Sequence, residues 1–196
     1  MKERHTSLFV TALIAVFTLS LGGLGFVSAT DGTVEMVKFN EDGSLDLPVG
    51  YRQWQHVGST FLPKGKTNII DHKPTKTAEM LDIYVKPDAF NVYMKTGIWP
   101  EGTIIAKEFV ALNNPNSGGV VTEDYYTGLS VLVKDSSRFP AEAGHLGYFQ
   151  YGHQKEPYKT NSPLQGRDKC SFCHEEDASD QQYIFASHHI GLTRPK

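Results

Sequence analysis

Two cysteines and a histidine near the end of the chain have the spacing through which a protein can bind haem covalently. They form the pentapeptide Cys170-Ser171-Phe172-Cys173-His174, which contains both cysteines of the 196-residue chain. Thiols three residues apart can add to the two vinyl groups of one porphyrin, while the adjacent imidazole coordinates the iron. The pair could instead form a disulfide or half of a zinc site. Zinc would need a second Cys or His pair at the usual spacing, and a disulfide does not need His174. The pentapeptide therefore favours one c-type haem per chain, anchored by Cys170, Cys173 and His174.

The N-terminus predicts export. Lys2 and Arg4 precede an apolar run over residues 8–21, and Val27-Ser28-Ala29 supplies the small residues that a signal peptidase requires. An uncleaved membrane anchor is the alternative, but the run is short for a span of about 20 residues and is followed by three glycines. We therefore expect a signal peptide over residues 1–29 and a single haem c domain over residues 30–196. A bacterial periplasm, where c-type haem is attached after export, is the expected location.

Charge excludes two classes of partner for this domain. The whole chain has 19 basic and 22 acidic side chains, and loss of Lys2, Arg4 and Glu3 with the signal peptide leaves a net charge of −4. So weak an acidic balance gives no footprint for nucleic acid and no basic stripe for a membrane surface. The mature chain is long enough to bury one core with a cofactor beside it.

Hydrophobic patterning predicts an α+β domain. Strands are expected over residues 80–85, 103–112, 125–133 and 147–151, and a short helix leading into a strand over 51–62. Pro87 can open a helix that Gly97 ends. Residues 30–50 form an arm, 64–76 an exposed loop and 153–169 a connector that delivers the haem motif. Without βαβ alternation, the expected architecture is a mostly antiparallel β-sheet with a few helices around one c-type haem.

Several short segments, in this order and spacing, resemble the cytochrome P-460 family. They precede the C-terminal Cys-x-x-Cys-His and are Tyr51-Arg52-Gln53-Trp54, Ile83-Tyr84-Val85-Lys86-Pro87, Thr96-Gly97, Gly102-Thr103 and Lys107-Glu108. The resemblance implies a small periplasmic haem c protein, usually a homodimer, whose antiparallel sheet covers one side of the haem. Some members oxidise hydroxylamine to nitrogen oxides and carry a covalent bond from a lysine to the porphyrin. The related cytochromes c′-beta lack that bond and bind nitric oxide or carbon monoxide.

The resemblance assigns residues as well as a class. It matches Cys170 and Cys173 to the thioether anchors, His174 to the proximal ligand and Lys107 to the cross-linking lysine. Strand alternation puts Lys107 on one face with Ile105 and Phe109, where burial would depress its pKa and make it a nucleophile. The alternative turns Lys107 to solvent and Glu108 inward, although Glu108 is the worse residue to bury. The resemblance favours Lys107 at the haem.

One departure and one gap in the match bear on function. Hydroxylamine-oxidising members have an arginine where this chain has Leu81, which indicates a drier pocket and favours gas binding. The family places a proton-handling residue just before the haem motif, where Gln165, Arg167 and Asp168 are available, each also readable as a solvated loop residue.

The resemblance thus leaves an enzyme and a gas binder. As an enzyme, the protein would oxidise hydroxylamine at a five-coordinate haem and pass electrons to a soluble periplasmic cytochrome. As a binder, it would hold nitric oxide or carbon monoxide in an apolar pocket whose candidate walls are Phe61, Phe90, Trp99 and Phe109. Plain electron transfer is a third reading, and it needs a sixth iron ligand. Candidates for that ligand are Met80, Met94, His188 and His189, the last two also readable as an exposed tail pair.

Overall fold

A five-stranded antiparallel sheet forms the centre of the protein. The computed structural model describes residues 34–194, so the predicted signal peptide lies outside the described residues. The central strands are β2 (Gln55–Leu62), β3 (Glu79–Val85), β4 (Ile104–Leu112), β5 (Glu123–Lys134) and β6 (Leu146–His153), each beside its neighbour in sequence. Two-residue strands β1 (Leu45–Asp46) and β7 (Asn161–Ser162) pair separately. The predicted α+β class with a mostly antiparallel sheet is confirmed.

Two α-helices accompany the sheet, α1 (Pro87–Thr96) and α2 (Ser171–Asp177). Helix α1 begins and ends where the sequence predicts, because Pro87 occupies the first turn and Gly97 adopts the left-handed conformation after the last. Five 3-10 turns complete the described part. Within residues 34–194, no helix is both long and apolar enough to cross a membrane.

Both faces of the sheet are buried, and the side chains of β4 alternate between the two. Its alternation turns Ile105 and Lys107 to the face covered by α1, and Ala106 and Glu108 to the face covered by the N-terminal arm. The expectation that Glu108 is a poor residue to bury is wrong, since it is fully buried. Its carboxylate accepts hydrogen bonds from Arg52, from Tyr51 and from Tyr158, which compensate the cost of desolvation.

The connector over residues 153–169 is more regular than the sequence indicates. Its strand β7 pairs with β1, and Leu164 makes an isolated bridge to Phe149 of β6. The Gln165 amide also donates to the Tyr148 carbonyl at 2.8 Å. Because the connector follows β6 in this way, it delivers Cys170 to the edge of the central sheet.

Candidate haem site

A cavity of about 390 Å³ lies between the α1-side face of the sheet and the C-terminal segment. One cross-strand row runs beneath it and crosses all five strands, in the order Gly58, Ile83, Lys107, Ser130 and Gln150. The next row contributes Ile105, Leu132 and Tyr148 to the same wall. The opposite wall includes Lys169, Cys170, Phe172, Cys173, His174, Ile184, Phe185, His188, His189 and Leu192. The cavity has the size of a small-molecule or cofactor site.

The predicted haem anchors converge on this cavity. Cys170 precedes α2, Cys173 and His174 lie within it, and all three side chains contribute to the wall. Both cysteines are free thiols, so they do not form the alternative disulfide. Among residues 34–194, no group of three or more His, Cys, Asp or Glu side chains could hold a metal ion, which leaves the zinc reading without a ligand set there.

The Cys170 thiol is also held from the sheet side. Gln150 Nε2 donates to Cys170 Sγ at 3.2 Å and to the Ile69 carbonyl at 3.0 Å. Burial raises the pKa of the Cys170 thiol to about 11, so the site favours an uncharged sulfur. A thioether would meet that requirement.

His174 is oriented for coordination through one ring nitrogen. Its Nδ1 lies 2.7 Å from the Tyr183 carbonyl oxygen, which can only accept, so Nδ1 carries the proton and Nε2 keeps its lone pair. Burial lowers the pKa of His174 to about 4, and nearby Lys107 acts in the same direction. The ring lies between Tyr148 and Phe185, with centroids 4.9 and 4.8 Å away. A metal-binding histidine commonly has such a carbonyl partner on its second nitrogen.

The carbonyl that orients His174 sits in an uncommon turn. Gln182 and Tyr183 both have positive φ, 59° and 62°, a conformation that costs roughly 1–2 kcal/mol for a residue with a Cβ. The Gln182 side chain bridges this turn to the end of α1, because Oε1 accepts from the Trp99 amide at 3.0 Å and Nε2 donates to the Gly97 carbonyl at 2.8 Å. The helix end thus fixes the turn that orients the imidazole.

Lys107 lies in the middle of the row beneath the cavity and contributes to its wall. Burial lowers the pKa of its ammonium group, and the charge of a Cys173 or Cys170 thiolate would oppose that effect. No hydrogen-bond or ion-pair partner of Lys107 is found among the described residues. An amine in this setting is readily neutral and nucleophilic. Its bond to a porphyrin stays a prediction.

None of the four aromatic residues named as possible walls lines the cavity. Phe61 is 59% exposed, and Trp99 is buried on Tyr93 with the rings 3.9 Å apart. Phe90 packs on the core around α1. Phe109 is followed by a bulge in β4, and its ring packs in a separate cluster with Ile70 and Leu81. The aromatic walls are instead Tyr148, Phe172 and Phe185. Phe149 also contributes to the lining, but its ring packs on Phe39 and Phe139 in the core on the other face of the sheet. Tyr148 lies on β6, and sequence reasoning missed it because strand alternation alone did not show which face of β6 carries the site.

The residues that the sequence suggested for proton transfer, and the residue at the position of the family's arginine, also lie outside the cavity wall. Gln165, Arg167 and Asp168 do not line the cavity, and Arg167 is paired with Glu175 at 2.7 Å. Leu81 is buried against Ile70 and Phe109 outside the cavity wall.

Of the four candidate sixth ligands, His188 and His189 line the cavity, whereas Met80 and Met94 do not. The reading of an exposed tail pair is wrong for His189, which is 8% exposed. It packs against β2, and no periodic pattern in the sequence predicts that contact.

A protein-family comparison agrees with this site. The family model for cytochrome P460 matches residues 48–186, which include the five-stranded sheet, the cysteine pair and His174. The chain therefore belongs to the cytochrome P460 family. A comparison with curated proteins gave no match.

Membership of this family implies a haem, and the residues of the cavity fit one. Two free thiols, an imidazole with Nδ1 already bonded, and largely apolar walls share one cavity. His174 would hold the iron, Cys170 and Cys173 the porphyrin edge.

Proposed function

We propose that this protein is a periplasmic mono-haem c protein that oxidises hydroxylamine to nitrogen oxides. The observation that carries the proposal is Lys107, which lies in the cavity wall with His174 and both cysteines and has a pKa lowered by burial. Lys107 is half-buried, lines the cavity and has no carboxylate partner among the described residues, whereas most structural lysines are exposed or paired. Its position supports a cross-link to the porphyrin of the kind that hydroxylamine-oxidising relatives carry.

Different side chains of the cavity would attach the haem, hold its iron and limit the entry of water. Cys170 and Cys173 would bind the haem covalently, and His174 would hold the iron through Nε2, with the Tyr183 carbonyl orienting the ring. A haem bound here would supply the chemistry that accepts electrons from hydroxylamine. The aliphatic walls, formed by Ile69, Ile83, Ile105, Leu132, Ile184 and Leu192, would limit the entry of water. Electrons would pass to a soluble periplasmic cytochrome, and a homodimer is the expected assembly.

A second function, binding of nitric oxide or carbon monoxide without turnover, is favoured by a different observation. Among the described residues that line the cavity there is no carboxylate, and the candidate proton-handling residues before the haem motif lie outside it. Oxidation of hydroxylamine releases protons, whereas binding of a diatomic gas does not. An apolar wall without an acidic group suits a gas.

The absorption spectrum of the reduced protein tests the cross-link. We expect a main band shifted strongly to the red, because a lysine bond saturates or distorts the ring. Lys107→Ala should restore an ordinary haem c spectrum. Lys169→Ala is the matched control, since Lys169 also lines the cavity but lies beside the cysteine motif, and this variant should keep the shifted band.

Turnover separates the enzyme from the gas binder. The haem-loaded protein is mixed with hydroxylamine and an artificial electron acceptor, and nitrogen oxides are measured. Sustained product supports the enzyme. An ordinary haem c spectrum with nitric oxide binding and no turnover would support the binder, and persistence of the shifted band in Lys107→Ala would refute the role of this lysine.

A further inference from the structure

The C-terminal segment 186–192 closes the cavity at strand β2. It contains two 3-10 turns, Ala186–His188 and Ile190–Leu192, and all of it except Ala186 follows the range matched by the family model. Gly191 allows its close approach, because a Cβ there would lie 2.6–2.9 Å from backbone atoms of Val57. Gly58 lies directly beneath His189, since a Cβ at Gly58 would lie at van der Waals distance, 3.4–3.5 Å, from three of its atoms. The segment is thus fitted to β2 and brings His189 into the cavity wall.

The two nitrogens of His189 differ in their surroundings. Nδ1 is buried against β2 and has no hydrogen-bond partner among the described residues. A buried N–H without an acceptor costs about 1–3 kcal/mol, so the ring proton is better placed on Nε2. His189 is therefore suited to donate a hydrogen bond from Nε2 into the cavity.

The same asymmetry argues against His189 as an iron ligand. A ligating imidazole nearly always donates its second N–H to a carboxylate, carbonyl or water. His174 has this arrangement, because its Nδ1 meets the Tyr183 carbonyl at 2.7 Å. His189 lacks it, since its Nδ1 has no partner within residues 34–194. One histidine is prepared for coordination and the other for donation.

His189 and the haem anchors occupy opposite ends of the cavity floor. Gly58, beneath His189, and Gln150, bonded to Cys170, are the two ends of the row that crosses five strands, about 19 Å apart at the usual strand spacing. In haem the two vinyl groups occupy neighbouring pyrroles and the two propionates occupy the other two. A porphyrin fixed through its vinyl groups at Cys170 and Cys173 therefore directs its propionates away from the cysteines.

The described lining of the cavity contains no Asp or Glu, so no carboxylate there repels an anionic group. Its basic side chains are two lysines and three histidines, which can donate hydrogen bonds to such a group. A propionate is a carboxylate, and a hydrogen bond from an imidazole N–H to it is charge-assisted.

We propose that His189 donates a hydrogen bond from Nε2 to a haem propionate and thereby acts as a positioning residue for the haem. The proposal rests on the proposed function insofar as a covalently bound haem occupies the cavity. It assigns a role to a residue, His189, that follows the matched range of the family.

Resonance Raman spectroscopy of the haem-loaded protein tests this role through the propionate bending mode. His189→Phe keeps the volume of the ring and removes the donor, so the mode should shift to lower frequency and the midpoint potential of the haem should fall, because an uncompensated carboxylate favours ferric iron. His189→Gln retains a donor and should recover most of both shifts. The control is His56→Phe on β2, whose side chain is 49% exposed and does not line the cavity.

The outcomes separate this inference from the proposed function. If wild-type protein carries haem and His189→Phe leaves the propionate mode unchanged, the hydrogen bond does not exist and the proposed function is unaffected. Conversion of a low-spin haem to a high-spin one in His189→Phe would identify an iron ligand and also overturn the inference. Wild-type protein without haem would overturn both.

Discussion

Glu108 and Lys107 are neighbours on β4, but the charged group of Glu108 is fully hydrogen-bonded and that of Lys107 is not. Glu108 is fully buried on one face of the sheet, where Arg52, Tyr51 and Tyr158 all donate to its carboxylate. Lys107 lies on the other face, in the cavity wall, without a partner among the described residues. A buried charge that is fully bonded belongs to the structure, whereas one left unpaired in a cavity indicates a site. His174 combines both conditions in one ring. Its Nδ1 is bonded to the Tyr183 carbonyl, and its Nε2 has no partner among the described residues.

Removal of the hydrogen-bonded carboxylate of Glu108 should cost more stability than removal of the Lys107 ammonium group. Glu108→Ala leaves the Tyr51 hydroxyl without its acceptor, and it leaves Arg52 with only Glu156 and Tyr158 with only the Gly128 carbonyl. We therefore expect the free energy of unfolding to fall by roughly 3 kcal/mol. Urea titration followed by circular dichroism measures it. Glu108→Gln keeps one acceptor oxygen and should lose less. An equal loss in both variants would mean that the negative charge of Glu108, and not the number of hydrogen bonds that the side chain keeps, determines the cost.

A smaller effect is expected where hydrogen bonds serve the cavity. Gln182→Ala removes both bonds that tie the Tyr183 turn to the end of α1, which should lower the free energy of unfolding by about 2 kcal/mol. If the turn orients His174, the haem spectrum should also show a weakened axial bond. Gln181→Ala is the control, because its side chain accepts from the Ser187 amide and makes no bond to α1. An unaltered spectrum in Gln182→Ala would separate stability from orientation.

The ion pair between His153 and Glu79 should make the stability of the protein depend on pH. His153 is paired with buried Glu79 at 2.9 Å, and this hydrogen bond raises the pKa of His153. Because the folded pKa lies above the ordinary value of 6.5, the stabilisation is complete below pH 6.5 and is lost as pH rises through the raised pKa. His153→Gln should cost about 1.5 kcal/mol at pH 6 and less at pH 9. Denaturant midpoints at both values check this, and a constant difference would contradict it.

Prediction from sequence was sound where local chemistry determines structure. Pro87 and Gly97 set the limits of α1, and the Cys-x-x-Cys-His spacing brought Cys170, Cys173 and His174 to one cavity. It failed where a distant contact decides. Glu108 looked unsuitable for burial because its three partners lie 50 or more residues away.

The aromatic walls show the same limit. Phe109 shares a strand face with Lys107, yet it packs on Ile70 and Leu81. His189 resembled an exposed tail because only its contact with β2 buries it. Such positions depend on which surfaces meet, and periodicity within one segment carries no information about that.

The smallest expected effect concerns the unpaired charge. Cys170→Ala and Cys173→Ala together prevent covalent attachment, so Lys107→Met in that background reports the cost of the lysine alone. An ammonium group without a partner loses solvation and gains no bond, so its removal should leave the free energy of unfolding unchanged or raise it by about 1 kcal/mol. Glu108→Ala in the same background is the matched comparison and should destabilise. If Lys107→Met destabilises by as much, Lys107 is a structural residue, and the distinction between the two faces of β4 does not hold.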